Sequence, residues 1–243
     1  MNPISLEGVG KRYFRLGNSK WLRGFLFRNS LAKQNWFWSL KNVSLQVSRP
    51  GTSISVVGSN GSGKTTLLKI IAGVTSPTRG TVSVHGQVVS MLELFAGMQA
   101  DLTGRENIFL NGMLLGMRRR EIQKKLDSIV EFAGIGEFLD MPLKHYSLGM
   151  QMRLGFGIST HVDASIFLVD EAWGIGDSQF QTKSFQRLKE LTRQGVCLVL
   201  VSHNLEILRN LSTETLWLDK GEARAFGPTE TIINSYLQQH PDR

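Results

Sequence analysis

Four groups of residues in this chain carry the types and spacings that chemistry on a phosphate chain requires. The first is Gly58-Ser-Asn-Gly-Ser-Gly-Lys-Thr65, which matches G-x-x-x-x-G-K-[ST]. Glycines at 58, 61 and 63 free the backbone to turn its N–H groups into one concave nest. Ser59, Asn60, Ser62 and Thr66 complete the loop and its first helical turn. Lys64 can reach β- and γ-phosphates, and the Thr65 hydroxyl can hold Mg²⁺. The second group is Asp170-Glu171, at the end of the apolar run Ala164–Val169. A buried strand ending there delivers Asp170 to the Mg²⁺ shell, and Glu171 can orient and deprotonate water. The third is His203, at the end of the apolar run Val196–Val201, placed to bond a γ-phosphate or the attacking water. The fourth is Ser147 with Gly149, at the start of a helical pattern, where free N–H groups form an anion site. A glycine-rich turn with a chance lysine, or an acidic pair that merely caps a helix, is the bland alternative. The strand before Gly58 and the helix after it argue against that. The chain is expected to bind a nucleoside triphosphate with Mg²⁺.

These residues need elements to carry them. Apolar runs at Thr52–Val57, Ala164–Val169 and Val196–Val201 read as buried parallel strands. Ile4–Val9, Leu40–Val47, Thr81–Gly86 and Gln87–Leu94 read as further strands, and Thr215–Asp219 with Ala223–Phe226 as a hairpin around Lys220-Gly221. Helical patterns cover Arg118–Phe132, Ser147–His161, Gln179–Gln194, Asn204–Leu211 and Thr229–Gln239. Another begins at Thr103-Gly-Arg-Glu106, a capping box. Strand–helix alternation on both sides of the loop predicts an α/β fold with a largely parallel sheet covered by helices. The helical block at about 103–160 reads as an inserted subdomain.

Composition bounds the rest. The chain has 243 residues, 41% of them hydrophobic, one cysteine and a net charge of +8. That suits one α/β domain, or a domain with a subdomain. No run approaches the roughly 18 apolar residues of a membrane span. The first residues do not read as a signal peptide, and the lone Cys197, in an apolar run, reads as a core residue. Both point to a reducing, cytosolic setting. The positive charge would suit nucleic acid, an anionic membrane or an acidic partner. Arg15–Ser39 combines Trp21, Phe25, Phe27, Trp36, Phe37 and Trp38 with Arg15, Lys20, Arg23, Arg28 and Lys33. It reads either as a membrane-interface element or as a surface hairpin whose aromatics pack on the domain.

Tyr146-Ser-Leu-Gly-Met-Gln-Met-Arg153 resembles the signature motif of the ABC ATPases, commonly Leu-Ser-Gly-Gly-Gln and, two residues on, arginine. Ser147, Gly149 and Arg153 match, whereas Leu148 and Met150 depart from the common form. With the P-loop, the Asp-Glu pair and the histidine in family order, nearly the whole chain resembles an ABC transporter nucleotide-binding domain. The resemblance implies a P-loop NTPase of RecA-like core with an antiparallel β subdomain and the helical insertion. It implies a homodimer that sandwiches ATP, with Ser147 and Gly149 gripping the γ-phosphate held by the other copy. It further implies Tyr13 as the adenine-stacking aromatic and Asp177 as a dimer contact. The family's γ-phosphate-sensing glutamine has no clear counterpart: Glu93 falls nearest that position as a metal ligand, with Gln99 the weaker alternative.

Leu92–Met98, Leu102–Gly112 and Val169–Asp177 are similar to the branch that exports bacterial O-antigen, capsule and teichoic acid. That branch implies two copies of a separate permease, a lipid-linked glycan as cargo, and a place on the cytoplasmic face of the inner membrane. Relatives acting on nucleic acid usually carry a coiled-coil insertion or tandem ATPase domains, and neither is present, so nucleic acid is not expected as a partner. An exporter of another lipid or drug would look the same at the site. The chain resembles the short form of the branch, or a truncated one.

Overall fold

The computed structural model describes residues 2–14, 36–93, 96–170 and 178–240. The expectations placed on Glu171, on Asp177 and on the body of the aromatic-basic segment lie outside those residues, as does the side chain of Glu93.

Two sheets form the frame. The larger has six strands in the order β5-β6-β7-β3-β8-β9. They are β3 (Ser53–Val57), β5 (Val88–Ser90), β6 (Ile166–Val169), β7 (Cys197–Val201), β8 (Glu214–Asp219) and β9 (Glu222–Pro228). β5 through β8 run parallel, and β9 returns antiparallel beside β8. Lys220 at φ 48° and Gly221 at φ 84° make the tight turn between β8 and β9. The central strands are buried on both faces, and their alternation splits the core in two. Ile166, Leu168, Cys197, Val199 and Val201 face one apolar cluster, while Phe167, Val169, Leu198 and Leu200 face the other.

The smaller sheet is antiparallel, in the order β2-β1-β4: β1 (Ile4–Phe14), β2 (Trp36–Val47) and β4 (Arg79–Val84). β1 runs past the expected Val9, through an irregularity in its pairing, to Phe14. β2 begins at Trp36, so Trp36, Phe37, Trp38 and Ser39 belong to a strand and not to the insert. The cross-strand pairs Tyr13↔Phe37 and Phe14↔Trp36 explain the extension, because facing aromatics bury area together. The expected strand at Gln87–Leu94 is shorter. It pairs only through Ser90, whose hydroxyl accepts the Leu92 N–H (3.3 Å), and Met91–Glu93 coil into one 3₁₀ turn.

Helices cover the sheets. α1 (Lys64–Ile71) follows β3 and buries Leu67, Leu68, Ile70 and Ile71 against the small-sheet side. α2 (Gly104–Leu114), α3 (Arg119–Ala133) and α4 (Leu148–Thr160) lie between β5 and β6 in sequence. α5 (Ser178–Arg193), α6 (Leu205–Leu211) and α7 (Thr229–Gln239) complete the chain. The capping box at α2 forms as its sequence predicts: Thr103 Oγ1 accepts the Glu106 N–H and Glu106 Oε2 accepts the Thr103 N–H. The Thr103 N–H and the Thr103 hydroxyl both donate to Oε2 and hold the Glu106 carboxyl below its ordinary range. Asn107 is fully buried and bonds Gln99 from both ends of its amide, tying α2 to the segment after β5.

Candidate functional site

Parallel strands place their C-terminal ends on one edge, and ligands of open α/β sheets bind there. The order β6-β7-β3 brings Asp170, His203 and the Gly58–Lys64 loop to that edge on three adjacent strands. The loop is clamped. Gly58 lies at φ 154°, and a Cβ there would overlap the Leu218 carbonyl oxygen. Gly63, at φ 107°, leaves no room for a Cβ beside the Ser39 carbonyl oxygen. Lys64 is 8% exposed, and its ammonium donates to the carbonyls of Gly58 (2.9 Å) and Ser59 (3.2 Å). Gly63 caps α1 in a left-handed conformation and makes no side-chain cap bond to its first turn.

A cleft of about 540 Å³ opens in front of this loop. Among the described residues it is lined by Asn60, Gly61, Gly63, Lys64, Thr65 and Thr66 from the loop and α1, by Asp170, by Met91 and Leu92, and by Phe37 and Ser39 of β2. It therefore joins Lys64 and the Thr65 hydroxyl to the Asp170 carboxylate, which the sequence sets more than a hundred residues away. Glu93 closes the 3₁₀ turn that starts with Met91 and Leu92. His203 lines a second hollow, of about 840 Å³, together with Gly58, Asn204, Glu206, Arg209 and Tyr236. The two hollows flank the loop, and Gly58 reaches the second. Asn204 caps α6, its Oδ1 accepting the N–H groups of Glu206 and Ile207.

Tyr13 and the Ser147 region stand elsewhere. Tyr13 sits on β1, one strand behind the cleft, its ring 5.9 Å from that of Phe37. Ser147 is the exposed N-cap of α4, accepting the Met150 N–H at 3.2 Å. Leu148 is 62% exposed beside it, and Gly149 occupies the first turn. Tyr146 anchors this corner from below: its hydroxyl donates to the Phe138 carbonyl, and burial pushes the phenol above its ordinary pKa.

A profile of the ABC transporter family matches residues 40–174. The chain belongs to the ABC transporter family. This ABC chain is 40% identical over 208 residues to the O-antigen export system ATP-binding protein RfbB of Klebsiella pneumoniae, covering 86% of this chain and 84% of the relative. It is 40% identical over 233 residues to the ABC transporter protein AbcA of Aeromonas salmonicida, covering 96% of this chain and 75% of that one. Identity is also 40%, over 241 residues, with the teichoic acids export ATP-binding protein TagH of Lactiplantibacillus plantarum, covering 98% of this chain and 65% of that relative. The fold matches the ATP-binding cassette MJ0796, solved as a dimer bound to ADP and Pi, with a TM-score of 0.75 and 23% identity, covering 93% of this chain and 98% of that one.

The residues fit the nucleotide and metal that such a cassette takes. Mg²⁺ usually keeps several waters and takes one or two carboxylates plus substrate phosphates. Asp170 and the Thr65 hydroxyl, on one cleft with the buried Lys64, are that kind of donor set. Sequence reasoning missed Phe37 and Ser39 in this ABC chain. Their signal was an alternation, Phe37-x-Ser39, at the start of a strand, and only its placement beside α1 gives it meaning.

Proposed function

We propose that this chain hydrolyses ATP as the energy-supplying subunit of an exporter of lipid-linked cell-surface polysaccharide, of O-antigen type. The cleft that gathers Lys64, Thr65 and Asp170 supports the ATPase reading. The 40% identity with subunits named for O-antigen and teichoic acid export, over most of the chain, carries the cargo.

In this reading two copies face each other across two ATP molecules. The loop residues and Lys64 hold the phosphates. Thr65 and Asp170 would hold Mg²⁺, with Glu93, nearest in sequence to the position of the family's glutamine, as a further ligand. Glu171 takes the proton from the attacking water, and His203 steadies the charge that develops on the γ-phosphate. The partner copy's signature helix closes the site through Ser147 and Gly149, and Asp177 meets the other copy. Closing and reopening move two copies of a separate permease, and the glycan is carried without chemical change. Among the described residues no helix is long and apolar enough to cross a membrane. The chain would ride on its permease at the cytoplasmic face of the inner membrane.

ATP hydrolysis by the purified chain, alone, with its permease, and with permease plus undecaprenyl-linked glycan, tests this. Stimulation by permease and glycan supports the exporter reading. Hydrolysis indifferent to both but raised by nucleic acid overturns it. Glu171→Gln should retain ATP and nearly abolish turnover, and rapid hydrolysis by that variant would remove Glu171 as the base.

A further inference from the structure

The last helix, α7, is fixed to the large sheet by a buried chain of hydroxyls. Ser55 lies on β3, Thr215 on β8 and Thr229 at the start of α7, and all three are buried. The Ser55 and Thr215 hydroxyls are 2.6 Å apart, and Thr215 donates to Thr229 at 3.1 Å. A hydroxyl has one hydrogen to give. Ser55 therefore donates to Thr215, and the chain runs outward from β3. A second tie is aromatic. Trp217 pairs with Val57 on β3 and meets the Tyr236 ring of α7 edge to face, at 5.5 Å. Through both ties α7 keeps a set position relative to the strand that leads into the phosphate loop.

α6 is held in a different way. Its seven residues are too few to sustain a helix alone. Leu208 and Leu211 bury its second half. Its start, which follows His203, borders the hollow of about 840 Å³, where His203, Asn204 and Glu206 share the lining with Tyr236 and Leu237 of α7. Open space, not packing, stands there between the two helices. Arg209 crosses from α6 to α7. Its guanidinium donates to Asn234 Oδ1 at 2.7 Å and lies 3.6 Å from the Glu230 carboxylate. The first contact is a charge-assisted hydrogen bond. The second is a long, exposed pair of the kind that contributes little. Within α6, Asn204 Oδ1 accepts the Glu206 and Ile207 N–H groups, and Asn210 Nδ2 donates to the Glu206 carbonyl. The helix thus turns as one piece, and a tilt about its buried leucines would carry His203 with it. The bond from Arg209 to Asn234 opposes that tilt.

We propose that Arg209 is a positioning residue for His203: by clamping α6 to α7 it sets the histidine against the phosphate loop. This rests on the reading of His203 as the group that steadies the γ-phosphate charge, and a His203 variant separates the two. The experiment is steady-state hydrolysis of Mg·ATP by the full chain assembled with its permease, read as kcat and KM for each variant.

Arg209→Met, which keeps the stem and removes the guanidinium, should lower kcat about three- to tenfold and leave KM unchanged. Asn234→Ala should do the same from the other helix, and the two together should cost no more than either alone. Glu230→Gln should cost less than both. Arg209→Lys combined with Asn234→Asp, which replaces the bond by an ion pair, should recover the loss. In a His203→Ala background Arg209→Met should lower kcat no further. Full kcat in Arg209→Met and Asn234→Ala would overturn the proposal. A loss that falls on KM, or that multiplies with the loss from His203→Ala, would make the clamp merely structural and overturn it too. Full turnover by His203→Ala would instead strike the reading of His203 beneath it.

Discussion

The helix starts of α1 and α4 are built in opposite ways. At α1 the N-cap is a glycine with no side chain to offer, and two strands and the β8–β9 turn press on the loop through Ser39, Leu218 and Gly221. At α4 the N-cap is Ser147, which already caps its own helix by accepting the Met150 N–H, on an exposed corner next to an exposed leucine. At the first site the cap residue supplies no side-chain acceptor to the leading N–H groups. The second has supplied itself with a stand-in acceptor and sits on the surface. A site that must hold nucleotide by itself needs the first design. A site that acts on a nucleotide brought by another copy needs accessibility, and its self-cap keeps the helix stable meanwhile.

If that contrast is right, damage at the two starts should separate binding from turnover. The largest effect is expected at Ser147. Ser147→Arg should leave ATP binding to the isolated chain intact and reduce hydrolysis by at least about a hundredfold, the scale for loss of a preorganised anion-stabilising group. Parallel loss of binding would erase the contrast. At the other start, Gly63→Ala must accommodate a methyl group against the Ser39 carbonyl at a positive φ. Roughly 2–3 kcal/mol of strain is expected, seen as a melting temperature lower by about 5–10 °C. A variant that melts with the wild type would show that the loop yields.

A subtler test addresses the support under the signature helix. Asn107→Leu strands buried polar groups of the Gln99–Thr103 segment, at a cost of about 2 kcal/mol. Amide exchange should quicken from Gln99 to Ser147 while α1 stays protected. Uniform quickening would mean that the two regions open together. The smallest effect concerns the far end of α4. There Lys125 donates to the His161 carbonyl and Arg187 to the Thr160 carbonyl, each at 2.8 Å. Burial, aided by Arg187, Lys125 and Lys183, holds the His161 imidazole below its ordinary pKa, against the opposing bond from its Nδ1 to Gly157. A histidine so depressed binds fewer protons folded than unfolded, so stability falls as pH drops below about 6.5. The melting temperature of the wild type should decline more steeply from pH 6.5 to 5 than that of His161→Gln. Identical slopes would remove His161 from the pH response.

Legibility in the sequence followed the range of the interactions. The loop, its strand and its helix are written in consecutive residues, as are the Thr103 capping box and the Lys220-Gly221 turn, and each formed where it was expected. Asp170 was legible because an apolar run ending in a carboxylate points to one sheet edge. Phe37 was not, because its role depends on pairing with Tyr13 across a long connection and on the approach of β2 to α1. The strand after Gln87 was drawn too long for a related reason. Its apolar residues continue past Ser90, but β5 is an edge strand, and a serine hydroxyl that bonds the chain two residues on turns it.

The position of β3 has a consequence for how the chain comes into being. Both neighbours of β3, β7 and β8, are encoded more than a hundred residues downstream of it, and the Gly221 clamp on Ser62 comes later still. As the chain leaves the ribosome, the phosphate loop emerges long before the strands that shape it. Until β7 and β8 arrive, β3 is an apolar segment with two open edges, the condition in which chains aggregate or recruit chaperones. Nucleotide can act as a ligand for this fold only once β7, β8 and the turn after β8 have been made, so the ability to bind it reports that these late strands have joined β3.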